Sequence, residues 1–124
     1  MSGDLLLLLT PLRQALERIE RKAQPLLMDP ALLDREEGQD LLDVICMQFL
    51  AAGEALKRLD KLQPGLLAAS FPAVDWKGAM GFRDVIAHQY FDLDAEQVLL
   101  ICQQALPGVL AAVRDLEQRS QDTT

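Results

Sequence analysis

Apolar residues recur along most of this chain with the spacing of a helix face. From Leu41 through Ile45, Phe49, Ala52 and Leu56 to Leu59 the steps run 4-4-3-4-3, which puts all six on one stripe. Leu42, Cys46 and Leu50 widen it. This pattern predicts a long helix over Gln39 to Leu62, with a face broad enough for both a core and a subunit contact. Leu12, Leu16 and Ile19 predict an earlier helix over Pro11 to Ala23, with Thr10 as N-cap and Pro11 as first helical residue. A start nearer Asp4 would need a bend at Pro11. The basic residues Arg13, Arg18, Arg21 and Lys22 read as its solvated face. Pro25 and Asp29-Pro30 predict a break over Gln24 to Pro30. Asp29 is placed to cap a short turn over Pro30 to Glu37, and Gly38 reads as an irregularity before the long helix.

Beyond Leu62, Gln63-Pro64-Gly65 is a stop signal, and Gly65 to Ser70 suits one short turn. Phe71-Pro72 is extended, because a residue before proline avoids the helical region. The segment after Asp75 shows no strand alternation, and Asp75 is an N-cap candidate before Trp76. Asp94 with Gln97 resembles a capping box opening a helix that carries Val98, Leu99, Ile101, Cys102 and Ala105. Pro107-Gly108 interrupts that pattern, which resumes from Val109 to about Gln118. The polar tail from Arg119 is expected to fray.

These elements predict an all-α fold, an up-and-down bundle of four to five helices in a single domain spanning 1–124. Composition agrees: half of the 124 residues are apolar but only 5% are aromatic, so leucine and alanine must fill the core. There is no internal repeat and no glycine-rich phosphate loop. The Leu5–Leu9 run lacks the basic start, length and cleavage site of a signal peptide, and no stretch approaches a membrane span. A cytoplasmic protein is expected. Cys46 and Cys102 each sit in an apolar run, which suits buried free thiols in a reducing compartment. With one histidine in the chain, metal binding is not expected, and no cofactor is called for.

Charge narrows the function. The net charge of −7, from 12 basic and 19 acidic residues, argues against broad nonspecific binding to nucleic acid. A local positive cleft stays compatible with it. Chemistry concentrates in VDWKGAMGFRDVIAHQYFDLD, residues 74–94, which holds the only His, Trp and Tyr. An Arg83 fork can bind phosphate bidentately. His88 can take or give a proton near neutral pH. The Tyr90 hydroxyl can donate to an oxyanion or itself accept a group. RNA carries its own 2′-OH nucleophile, so a base and a charge stabiliser could suffice without a metal. On a regular helix Arg83 and Tyr90 nearly align, whereas His88 lies about 140° from Arg83. Arg83 and His88 can meet only if the helix ends or bends near His88, or if a second copy supplies one of them. Tyr90, aligned with Arg83, is expected to open its hydroxyl into the same cleft. Gly78 and Gly81 leave room for another backbone to approach.

The run Arg83-Asp84-Val85-Ile86-Ala87-His88-Gln89-Tyr90 resembles the R-x4-H-x-Y motif of the HEPN superfamily, and the chain most resembles its HepT-like (DUF86) toxins. Asp84 fits the polar residue common after the arginine, as a supporting residue. Gly53-Glu54-Ala55 resembles a G-E-A in the family's long second helix; Glu54 itself reads as a solvated or salt-bridged carboxylate, and Lys57, Arg58 and Lys61 as charges meeting a helix end. The resemblance implies an all-helical homodimer, with paired motifs forming a metal-independent endoribonuclease cleft in which Arg83 and His88 are the catalytic pair. It also implies a partner, an MntA-type nucleotidyltransferase antitoxin, and it assigns Tyr90 as the acceptor of AMP. Two other functions compete with the ribonuclease: a non-catalytic helical partner of a nucleotidyltransferase, binding nucleotide or protein through the motif, and a purely structural bundle in which His88 hydrogen-bonds inside a core.

Overall fold

Helix α1 runs from Ser2 to Met28 in the computed structural model, which describes residues 2–122. Leu5, Leu9, Leu12, Leu16, Ile19, Ala23 and Leu26 are all buried, at alternating steps of four and three. That 3.5-residue repeat is a coiled-coil-like seam. The helix continues through Pro11, so of the two expected starts the earlier one, near Asp4, is the one adopted. A proline inside a helix costs about 3 kcal/mol, and burying the two leucines upstream returns about 3–6 kcal/mol. Pro11 and Pro25 both lie on the solvent side. For the same reason the break predicted from Gln24 does not open until Met28. Thr10 caps nothing; its hydroxyl donates to Glu117 Oε2 at 2.6 Å.

Asp29 then caps a 3₁₀ turn over Pro30–Asp34, accepting from the Ala31 N–H. Helix α2 spans Glu36–Leu62, three residues longer at its start than predicted. Gly38 belongs to its first turn, where a Cβ would run into the Leu32 carbonyl. Ile45, Cys46, Ala52, Gly53, Leu56 and Leu59 form its buried stripe. Gln63 to Gly65 ends it as expected, and a short α3, Leu66–Ser70, follows with Leu67 buried.

Asp75 caps α4, Trp76–Gln89, by accepting from the Gly78 N–H at 2.9 Å. The Trp76 indole donates to the Phe71 carbonyl and so ties the approach segment down. A 3₁₀ turn over Tyr90–Asp92 follows α4 directly. Asp94 caps α5, Ala95–Gln104, through the Glu96 N–H. The chain breaks at Ala105, and α6, Leu106–Asp122, leaves at 48° to α5. Pro107 sits in the first turn of α6, where its missing N–H costs nothing. The end of α6 is held: Arg119 pairs with Asp115 at 2.9 Å and lies 5.3 Å over the Phe71 ring. α6 stays helical to Asp122, so the fraying expected from Arg119 is absent over 119–122; residues 123–124 of that expectation lie outside the described residues.

α1 packs along α2 and α6, α5 lies against α1 and α6, and α4 rests on α2. The result is the expected all-α bundle, with six α-helices among the described residues rather than four to five: the short turn expected at 65–70 is a helix of its own, and the interruption expected at Pro107-Gly108 is a full break at Ala105. No strand occurs among the described residues. No single helix among them is long and apolar enough to cross a membrane. Arg13, expected on a solvated face, instead donates to Glu117 and Glu17 at 2.6 and 2.7 Å, and Arg114 reaches the same Glu17. This cluster clamps the N-terminal part of α1 to α6.

Candidate functional site

The site is built on the crossing of α4 over α2. The two helices approach closely where Arg83 passes Gly53: a Cβ on Gly53 would overlap the Arg83 Cβ and stand 2.9 Å from its Cγ. With no side chain at Gly53, the α4 side chain can reach this close to α2. Phe82, next to Arg83, inserts its ring edge against Phe49 with centroids 5.0 Å apart. Phe82 and Ile86 are buried in this contact. The backbone under Arg83 is thus fixed on both sides.

Arg83 is one-third exposed. Its Nε is buried without a hydrogen bond, 3.7 Å from Glu54 Oε2. Its outer end is in contact with Asp84, to which Nη1 donates at 3.1 Å. Asp84 is gripped by Lys57 Nζ at 2.8 and 3.0 Å. Hydrogen bonds from Lys57 and then Arg83 hold the Asp84 carboxyl below the ordinary carboxylate range. Lys57 therefore does more than meet a helix end; it is the α2 half of a bridge to α4. Two cations and two carboxylates alternate here, so Arg83 is oriented while staying open enough to exchange Asp84 for an incoming anion.

His88 lies in the last turn of α4, exposed, with no hydrogen bond or ion pair to another described residue. That placement removes the reading of His88 as a hydrogen-bonder in a core. α4 ends at Gln89, one residue past His88, so the helix end comes too late in the chain to swing His88 toward Arg83. Within one chain the two remain on different faces, about 140° apart.

Tyr90 departs from the expected direction. Its hydroxyl donates to Asp43 Oδ1 of α2 at 2.5 Å. That bond, with partial burial behind it, pushes the phenol up to about 12. Asp43 and Glu54 are eleven residues apart on α2, so the anchor points of Tyr90 and Arg83 are separated by about 16 Å. The expectation that the Tyr90 hydroxyl opens beside Arg83 is corrected: α4 gives way to the 3₁₀ turn at Tyr90, and helical projection stops applying there. A cavity of about 240 Å³ flanks the phenol, lined by Gln39, Asp43, Cys46, Phe91 and Leu93. Phe91 is almost wholly exposed beside it, and so is much of Met47, one turn on from Asp43. Asp43 was missed from the sequence. Its only signal was that a lone phenol near a helix end needs an acceptor.

A second, mainly apolar cavity of about 470 Å³ separates α4 from the α5–α6 junction, lined by Phe49, Leu56, Ala79, Phe82, Ile101 and Leu106. No backbone approaches Gly81, and the space at Gly78 is filled by its own cap, Asp75. The close approach expected there occurs at Gly53 instead. Cys46 and Cys102 are buried free thiols as expected; burial pushes them up to about 11 and about 12.

A sequence-family model described as ribonuclease HepT-like matches residues 12–116. No solved structure matches the chain.

Proposed function

The chain belongs to the ribonuclease HepT-like family, and from that premise we propose that it is a metal-independent endoribonuclease of the HEPN type, the toxin of a pair with an MntA-type nucleotidyltransferase antitoxin. The observation that carries this reading is the contrast between Arg83 and His88. Arg83 is packed and oriented through Gly53, Glu54 and Asp84. His88, five residues on, is exposed and unpartnered among the described residues. A positioned guanidinium and an uncommitted imidazole are what an in-line attack by the RNA 2′-OH requires. Arg83 would exchange Asp84 for the scissile phosphate and stabilise its developing charge. His88 would take the proton from the 2′-OH or return one to the leaving 5′ oxygen.

The angle between Arg83 and His88 favours a homodimer, in which a two-fold axis sets Arg83 of one chain near His88 of the other. The negative net charge is consistent with a cleft whose RNA affinity rests on a few local cations and falls with salt. Tyr90 would accept AMP from the antitoxin. The adduct would add a phosphate and a nucleoside two residues from His88 and keep RNA away by bulk and charge.

The test is RNA cleavage by the purified protein in excess chelator. Arg83→Ala and His88→Ala should keep their helical circular dichroism and lose cleavage by about 100-fold or more. Cleavage that needs added magnesium, or either variant cutting as well as wild type, defeats the assignment.

A further inference from the structure

The geometry points to Asp43 as the general base for nucleotide transfer onto Tyr90, supplied by the modified protein itself. This rests on the reading of Tyr90 as the acceptor. The Tyr90 hydroxyl already donates to Asp43 Oδ1, so donor, proton and base are aligned before any nucleotide arrives. The phenol faces a cavity that leaves room for a phosphate beside it. The turn that carries it, Tyr90–Asp92, is short and follows α4 immediately, so the ring has a fixed approach to α2.

The step balances as follows. The co-reactant is a nucleoside triphosphate with its magnesium, held by the nucleotidyltransferase. Tyr90 Oη attacks the α-phosphorus. The new Oη–P bond forms as the bond from that phosphorus to the bridging oxygen of the β-phosphate breaks. Pyrophosphate leaves with the electron pair, and the phenolic proton passes to Asp43 Oδ1 and then to solvent. The product sets a phosphodiester against a carboxylate that has lost its donor, and the two anions repel. The modified ring, almost half exposed at the start, would swing away from α2. The two titratable groups that bear on the phenol are Asp43 and Cys46, both from α2. Burial pushes the Cys46 thiol up to about 11, so it stays neutral in the range tested.

The experiment follows AMP transfer by intact mass, using the full chain, its nucleotidyltransferase, ATP and magnesium, from pH 7 to 9. Wild type should gain AMP at a rate that changes little with pH. Asp43→Asn should be slower by about 100-fold or more at pH 7. Its rate should climb about tenfold per pH unit, because its phenol must now ionise unaided. Asp43→Glu, which keeps a carboxylate, should recover much of the rate. Circular dichroism confirms that each variant is folded. An Asn variant labelled as fast as wild type overturns the role of Asp43. So does a slow Asn variant with a flat pH profile, since that is what a merely structural contact would give. A wild type that gains no AMP removes the acceptor reading itself, and the base with it, and is told apart from the other outcomes because no variant is needed to see it.

Discussion

Replacing Gly53 with alanine is the sharpest probe of the α2–α4 crossing. In an exposed helix this change stabilises by about 1 kcal/mol. Here the new methyl would overlap the Arg83 Cβ, with the Arg83 Cα only 3.6 Å off. A Cβ cannot swing aside like the tip of a side chain, so α4 must back away from α2. Overpacking of this kind costs about 1–3 kcal/mol. The net expectation is a loss of about 0–2 kcal/mol, read as a lower urea midpoint. The effect on cleavage should be larger than on stability. Retreat of α4 would stretch the 3.7 Å contact of Arg83 with Glu54 and the Lys57–Asp84 bridge. A misplacement of about 1 Å at a catalytic group can lower a rate about 100-fold. The assays are urea unfolding followed by circular dichroism and RNA cleavage at saturating substrate. A variant about 1 kcal/mol more stable than wild type, with full activity, would refute the close packing of Arg83 on Gly53.

Two further outcomes follow from the charged contacts. Tyr90 is the chain's single tyrosine, so an ultraviolet titration reports it alone; it should ionise near 12 in wild type and fall back toward the ordinary phenol value of about 10 in Asp43→Asn, and identical curves would deny the bond. Hydrogen bonds from Arg114 and then Arg13 hold the Glu17 carboxyl below its ordinary value. A depressed carboxyl contributes stability that is complete above its unfolded value and is lost as pH falls through its folded one. Glu17→Gln should therefore be less stable than wild type at pH 6, with the difference shrinking below about pH 4; a constant difference down to pH 3 would count against it.

The helices were legible because leucine spacing is a local signal that burial enforces. The stripe on α2 and the stops at Gln63-Pro64-Gly65 and Asp75 read directly. Pro11 and Pro25 misled because a proline's effect is judged locally, whereas the seam from Leu5 to Leu26 acts along the whole of α1. Arg13 looked like one basic surface residue among four; its partner Glu117 lies more than a hundred positions away, and no pattern in the chain links them. At the site, Arg83, His88 and Tyr90 stood out by chemistry, and Gly53 only through the Gly53-Glu54-Ala55 resemblance. What Gly53 packs against, where Lys57 reaches and which acid takes the Tyr90 hydroxyl depend on how α4 lies across α2. Asp43 is one of several exposed acids on its helix, and nothing local distinguishes it.

Helix α2 also acts as a ruler. Asp43, Gly53, Glu54 and Lys57 meet their α4-side partners from one unbroken rod, so their separations in space are fixed by counting residues. Each added or deleted residue between Asp43 and Gly53 would turn one anchor about 100° and shift it about 1.5 Å relative to the other. Tyr90 and Arg83 could not then both be engaged. That interval should accept changes of side chain on its outer face and refuse changes of length.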